Sequence, residues 1–239
     1  MVKKMNVNLI NQIKAIRPLI NWRFLKQKMK DNLTMFPTQE LTLETYVITK
    51  EGKIREYHKQ KAHSYVIQWL QHIELLTNHS YGLPGRNVSI KDTAGSVRTF
   101  YNGSCTSGTE SYQFSCEATA GITTYGILCG TGVTAVNISD YTIQTLIANG
   151  SGSGQLNYSA TVVVGAIAGS TTCSMAVTRA VSNGYSSGIT IKEIGLVCAT
   201  SYSGTTQDNF LLIHDNVTQL LNSGDTYLII YTMQTSISS

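Results

Sequence analysis

The chain has 239 residues, 42% of them apolar and only 13% charged. The apolar share is enough for a core and excludes global disorder, while the charged share is roughly half the usual one. Charge is segregated: the first 80 residues hold 13 of the 18 Lys and Arg and 6 of the 14 acids, a net of +7, and the other 159 carry 5 bases against 8 acids, a net of −3. This is the profile of a basic arm joined to a β-rich body, not of one continuous catalytic domain.

Met5 to Lys30 reads as helix, because Leu9, Ile10, Ile13 and Ile16 recur at helical spacing and Leu19, Ile20, Trp22, Phe24 and Leu25 continue the apolar surface. Pro18 must kink or split it, since it lacks an N–H and clashes with the preceding turn. Eight bases and no acid precede Asp31, and a linker from Asp31 to Gln39, containing Pro37, follows. Leu43 to Tyr57 has hairpin chemistry, with Gly52 supplying the positive φ of its turn. Ser64 to Asn78 reads as a second helix, with Ser64 as N-cap and a stripe of Val66, Trp69, Leu70, Ile73 and Leu76.

From Asn87 on, short β-prone runs alternate with turn residues. Strands are expected near 87–92, 96–101, 111–118, 123–130, 141–147, 155–165, 171–182, 188–199, 209–217 and 226–235. The Lys192-Glu193 step breaks the alternation of Ile189 to Leu196 and predicts a bulge. Tyr227 to Met233 is apolar on both faces, as in a sheet packed against a neighbour. The expected class is therefore mainly β: an antiparallel β-sandwich or jelly-roll-like body with an N-terminal helical arm and a small hairpin-plus-helix segment. The segments are 1–40 for the arm and linker, 41–84 for the hairpin and helix, and 85–239 for the sandwich.

No catalytic constellation stands out. Gly130-Thr-Gly132 lacks the third glycine and helix of a phosphate loop and reads as a turn. Gly150 to Gly154 puts Gly where a nucleophile elbow needs Ser. His214-Asp215 could be half of a triad, but a strand-end pair explains it equally well. His72 and His79 are too far apart for a metal pair on one helix. Cys105, Cys116, Cys129, Cys173 and Cys198 include no C-x-x-C pair and are expected to be buried free thiols, although Cys105 and Cys116 could bridge a loop. The eight N-x-S/T triplets follow from Asn, Ser and Thr content. No cofactor, metal or catalytic residue is expected, and no window reaches the ~18 apolar residues of a membrane span. Met1 to Lys30 has no signal-peptide pattern, so synthesis in the cytoplasm is expected.

The basic arm is the strongest functional signal. Its candidate anchoring residues are Lys3, Lys4, Ile10, Ile13, Lys14, Ile16, Arg17, Trp22, Arg23, Phe24, Lys26, Lys28 and Lys30. Four readings stay open: docking of the apolar stripe in a partner protein, contact with nucleic acid, binding at a membrane surface, and packing on its own body. The low charge suits either a surface packed in a symmetric assembly or a Ser/Thr/Gly-rich surface that is polar without being charged.

The segments Thr124 to Thr134, Asp140 to Ile147 and Gly154 to Ser159, then Ile189-Thr-Ile-Lys-Glu-Ile-Gly-Leu196, Phe210-Leu-Leu-Ile-His-Asp215 and Ser223 to Thr232, resemble in their order a recurrent β-sandwich of tailed-phage structural proteins. The hairpin and helix at 43–78 are similar to the region preceding that sandwich. The resemblance implies a non-enzymatic virion component of tail, neck or capsid-accessory type. Its partners would be further copies of itself and other virion proteins; the alternatives are packaged DNA, from the basic arm, and carbohydrate, from the sandwich class and the 13 tyrosines. The arm before residue 31 departs from the pattern.

Overall fold

The computed structural model describes residues 38–62, 65–77, 88–100, 113–169, 171–202 and 206–236. In chain order the described elements are β1 (Thr38–Ile48), β2 (Ile54–Lys61), α1 (Ile67–Thr77), β3 (Val88–Lys91), β4 (Val97–Phe100), β5 (Gln113–Ser115), β6 (Gly126–Gly130), β7 (Asn157–Tyr158), β8 (Val162–Ala168), β9 (Thr172–Ser182), β10 (Ile189–Tyr202), β11 (Thr206–Leu221) and β12 (Thr226–Ser236). The chain is mainly β, in antiparallel sheets. The first sheet has the order β2-β1-β12-β9-β7, with β8 sharing the β9 edge with β7. The second has the order β11-β10, and β5 and β6 share the other edge of β10. Strands β3 and β4 form a separate ribbon.

Period-2 alternation explains the packing. In β1, Leu41, Leu43, Thr45 and Val47 are buried and the residues between them are not. The same rule puts Tyr227, Ile229 and Tyr231 of β12 and Val177, Arg179 and Val181 of β9 on one face. They share a core with Ile191, Ile194, Leu196, Phe210 and Leu212 of the second sheet. Each large aliphatic side chain buried there is worth roughly 1.5–3 kcal/mol over leaving it in water. Gly52 has φ 76° and turns β1 into β2. Arg55 ties that hairpin across to the second sheet by donating to Leu220 O at 2.7 Å and by an ion pair with Asp225.

The other face of the second sheet is covered as well. Val66, Leu128, Ile143, Val197 and Leu211 form a smaller apolar cluster there. Ile143 belongs to residues 131–147, a strap lying across the sheet. The sequence predicts a strand at 141–147, but the structure gives only an isolated Gly130↔Leu146 bridge. The predicted strand at 155–165 is broken into β7 and β8. The ribbon is tied to β11 by Arg98, which contacts Asp92 at 2.8 Å and Asp208 at 3.0 Å.

The expected helix stripe holds in part: Val66 is buried and Trp69 packs against the core, but the rest of the buried face differs. Leu70 and Ile73 are 62% and 37% exposed, while Gln68 and His72 are buried. His72 lies edge-on to Phe210, 5.1 Å between centroids, and donates from Nδ1 to Gln68 O at 2.8 Å. Burial lowers its pKa and keeps it neutral. A stripe drawn through aliphatic residues misses a face built on a histidine. The predicted cap Ser64 lies outside the described residues.

Candidate functional site

All thirteen arm residues from Lys3 to Lys30 lie outside the described residues, as do His63, His79 and Cys105. The ionisable groups that the structure does bring together belong to the body; besides the Arg98–Asp92–Asp208 contacts, two buried clusters stand out.

The first begins at the predicted bulge. The β10–β11 register shifts between Ile191 and Glu193, so Ile191 and Ile194 both enter the core and Glu193 turns to the strap side. Glu193 is buried, and its carboxylate accepts from the backbone N–H groups of Gly132 at 2.8 Å, Gln144 at 3.1 Å and Thr145 at 2.9 Å. These donors hold the strap. Their partner is a side chain instead of a neighbouring strand, which is why 141–147 forms no ladder.

His214 completes the cluster. Its Nε2 lies 3.1 Å from Glu193 and its Nδ1 lies 2.8 Å from Asp140, whose carboxylate also accepts from Asn137 N at 2.8 Å. A carboxylate only accepts, so both ring nitrogens carry hydrogen and His214 is an imidazolium between two anions. Burial by itself would push the His214 pKa down. Hydrogen bonds to the Glu193 and Asp140 carboxylates outweigh it and hold the pKa above the ordinary 6.5. Burial would likewise raise Glu193, but His214 and the three backbone donors hold its carboxyl below the ordinary 4.5.

This geometry separates His214 from Asp215. Adjacent strand residues point to opposite faces, and Asp215 enters the core to accept from Tyr231 Oη at 2.9 Å. His214 keeps no lone pair for proton abstraction and is fully buried. The arrangement clamps a strap; it does not activate a nucleophile.

Gly130-Thr-Gly132 is not the turn expected from sequence, since Gly130 ends β6, and its glycines have a packing reason. A Cβ at either glycine would lie 2.4 Å from Glu193 Oε1. Gly132→Ala is therefore expected to cost about 1–3 kcal/mol by overpacking, measured as a lower urea midpoint with an unchanged slope.

The second cluster is Arg179 on β9, buried with Tyr158 against its guanidinium at 4.7 Å. Its hydrogen bonds go to main-chain carbonyls: Ile122 O at 2.6 Å, Ser159 O at 2.8 Å, Ile127 O at 2.9 Å and Tyr125 O at 3.5 Å. Five donors in a planar fork allow one side chain to hold two chain segments at once. Burial lowers its pKa from the ordinary 12.5. Gly126, at φ 88°, leaves the space this requires: a Cβ there would lie 2.4 Å from Thr161 Oγ1.

Cys116, Cys129, Cys173 and Cys198 are free thiols. Burial raises the Cys116 and Cys129 pKa values to about 12, so these two are poor nucleophiles. Among the described residues no group of three or more His, Cys, Asp or Glu is arranged to hold a metal ion, and no helix is long and apolar enough to cross a membrane. A shallow cleft of about 210 Å³ on the strap side is lined by Thr93, Thr123, Thr124, Thr142 and Asn209 over Leu128 and Val197.

No protein-family model matches the chain, and neither a curated protein nor a solved structure matches it.

Proposed function

We propose that this chain is a non-enzymatic structural component of a tailed-phage virion, present in multiple copies as a tail, neck or capsid-accessory protein. Its body is a β-sandwich, and the basic helical arm over residues 1–30 anchors it to other virion proteins. One observation supports the structural reading: the buried Glu193 and Arg179 side chains bind the protein's own backbone. The resemblance supports the virion part, since its segments Ile189 to Leu196, Phe210 to Asp215 and Ser223 to Thr232 supply much of the long strands β10, β11 and β12. The near-neutral surface of the body favours contact with neighbours over electrostatic steering of a small substrate.

The test is deletion of residues 1–30 in the parent phage. The shortened protein should keep its far-ultraviolet circular dichroism as a β protein and vanish from purified particles. Its normal incorporation would rule the arm out as an anchor. Retention of the full-length chain on DNA, with affinity falling steeply as salt rises, would instead assign the arm to the packaged genome.

A further inference from the structure

Strand β12 is apolar on both faces. Tyr227, Ile229 and Tyr231 enter the core, whereas Leu228 and Ile230 point the other way and are half-buried. The strand register extends that outward face across the first sheet. One row runs Tyr57, Tyr46, Leu228, Ala180, and the next runs Lys59, Glu44, Ile230, Thr178, Val162. Tyr57 is 49% exposed, Val162 51% and Val164 42%, and none of the described residues forms a layer over them. The outward face of the second sheet is different, because the strap and Val66 cover it.

Charge on this open face cancels locally. Lys59 contacts Glu44 at 2.7 Å and Lys61 contacts Glu40 at 3.6 Å, all on the β1–β2 side. The sequence from Tyr141 to Thr178, which supplies β8 and most of β9, contains no charged residue.

We propose that this face packs against the same face of a second copy of the chain, sheet on sheet across a two-fold axis. Strands β2, β1, β12, β9 and β8 have 8, 11, 11, 11 and 7 residues; at about 3.3 Å per residue and about 4.8 Å between strands they present roughly 760 Å². A standard interface takes about 800 Å² from each partner. A locally neutral surface can meet itself without like-charge repulsion, and two such sheets pack about 10 Å apart with interdigitated side chains. The basic arm is the poorer occupant. Its eight bases without an acid would find Glu44 and Glu40 already matched by Lys59 and Lys61. This inference rests on the multi-copy reading given above and names the surface that joins one copy to the next.

Sedimentation equilibrium on the full-length chain tests it. The mass should be 26.1 kDa doubled, or a higher even multiple. Ile230→Lys, at the centre of the face, should weaken self-association on the order of 30-fold, as loss of an interface hot spot does. Val162→Lys, at an exposed position, should weaken it in the same direction and keeps the test open if Ile230→Lys fails to fold. The double variant Leu9→Lys/Ile13→Lys, which breaks the arm's apolar stripe, should leave the mass unchanged.

A wild-type chain of single mass at every concentration overturns the proposal, as do folded Ile230→Lys and Val162→Lys proteins of wild-type mass. Dissociation by the arm variant would give the face to the arm and overturn it too. A monomer in solution defeats this pairing alone, while incorporation of the arm-deleted protein into particles defeats the anchoring role alone.

Discussion

Glu193→Ala should lower the unfolding free energy by about 3–5 kcal/mol, the usual result of removing one partner from a buried ionic cluster. The loss has two parts. Three backbone N–H groups, of Gly132, Gln144 and Thr145, are left without an acceptor, each a desolvation cost of roughly 1–3 kcal/mol if it stays dry. The His214 imidazolium also loses one of its two anions. Glu193→Gln keeps the shape but supplies one acceptor oxygen and an NH2 that faces donors, so it should recover only part of the stability. Urea unfolding of the three proteins measures this, and a Glu193→Ala protein within about 1 kcal/mol of wild type would refute the clamp.

The same cluster sets a pH dependence whose sign follows from the two shifts. His214 is raised on folding, so its contribution is complete below 6.5 and is lost as pH climbs through the folded value. Glu193 is lowered on folding, so its contribution is complete above 4.5 and is lost as pH falls through the folded value. The clamp is strongest between these limits. Wild-type stability should decline as pH rises above 6.5, and His214→Gln should flatten that decline. An identical alkaline slope in the variant would mean that His214 does not carry it.

Arg179→Ala should rival Glu193→Ala, at about 3–5 kcal/mol, because it strips donors from buried carbonyls in two segments and opens a cavity beside Tyr158. Arg179→Lys should recover little. An ammonium offers three donors around one point and cannot span Ile122 O, Ile127 O and Ser159 O as the fork does. Thermal unfolding ranks the three proteins: wild type first, then Lys, then Ala. Equal midpoints for Arg and Lys would reduce Arg179 to a space-filling role.

How much of this was readable in advance depended on how local each cause was. The bulge at Lys192-Glu193 is visible because two polar residues interrupt an otherwise regular alternation. The purpose of the bulge is not visible, because the partners of Glu193 are backbone groups some fifty to sixty positions upstream and carry no side-chain signature. The single sequence trace is the glycine pair at 130 and 132, which reads as a turn until the carboxylate beside it is known.

The His214-Asp215 pair shows the opposite failure. Adjacency in the sequence suggests cooperation, but strand geometry sends the two side chains to opposite faces. The hairpin is legible from Gly52, yet nothing in its composition reveals that β1 pairs along its whole length with β12, almost at the other end of the chain. Arg179 carries no sequence signal, since an arginine that serves only main-chain carbonyls needs no acidic partner. The arm's stripe and charge are equally plain, but they do not name what the arm meets.

The direction in which β1 leaves the body has a mechanical consequence. Thr38 is the first residue of β1, so a force applied there enters the fold along that strand. Pulled along the strand against a body held elsewhere, β1 loads its ladders to β2 and β12 in shear, with the hydrogen bonds perpendicular to the force and sharing it together. Pulled apart from Ser236, its neighbour in register, the same strand would instead peel one pair at a time from Thr38↔Ser236 toward Ile48↔Thr226. An attachment at this residue is therefore strong along one axis and weak along another.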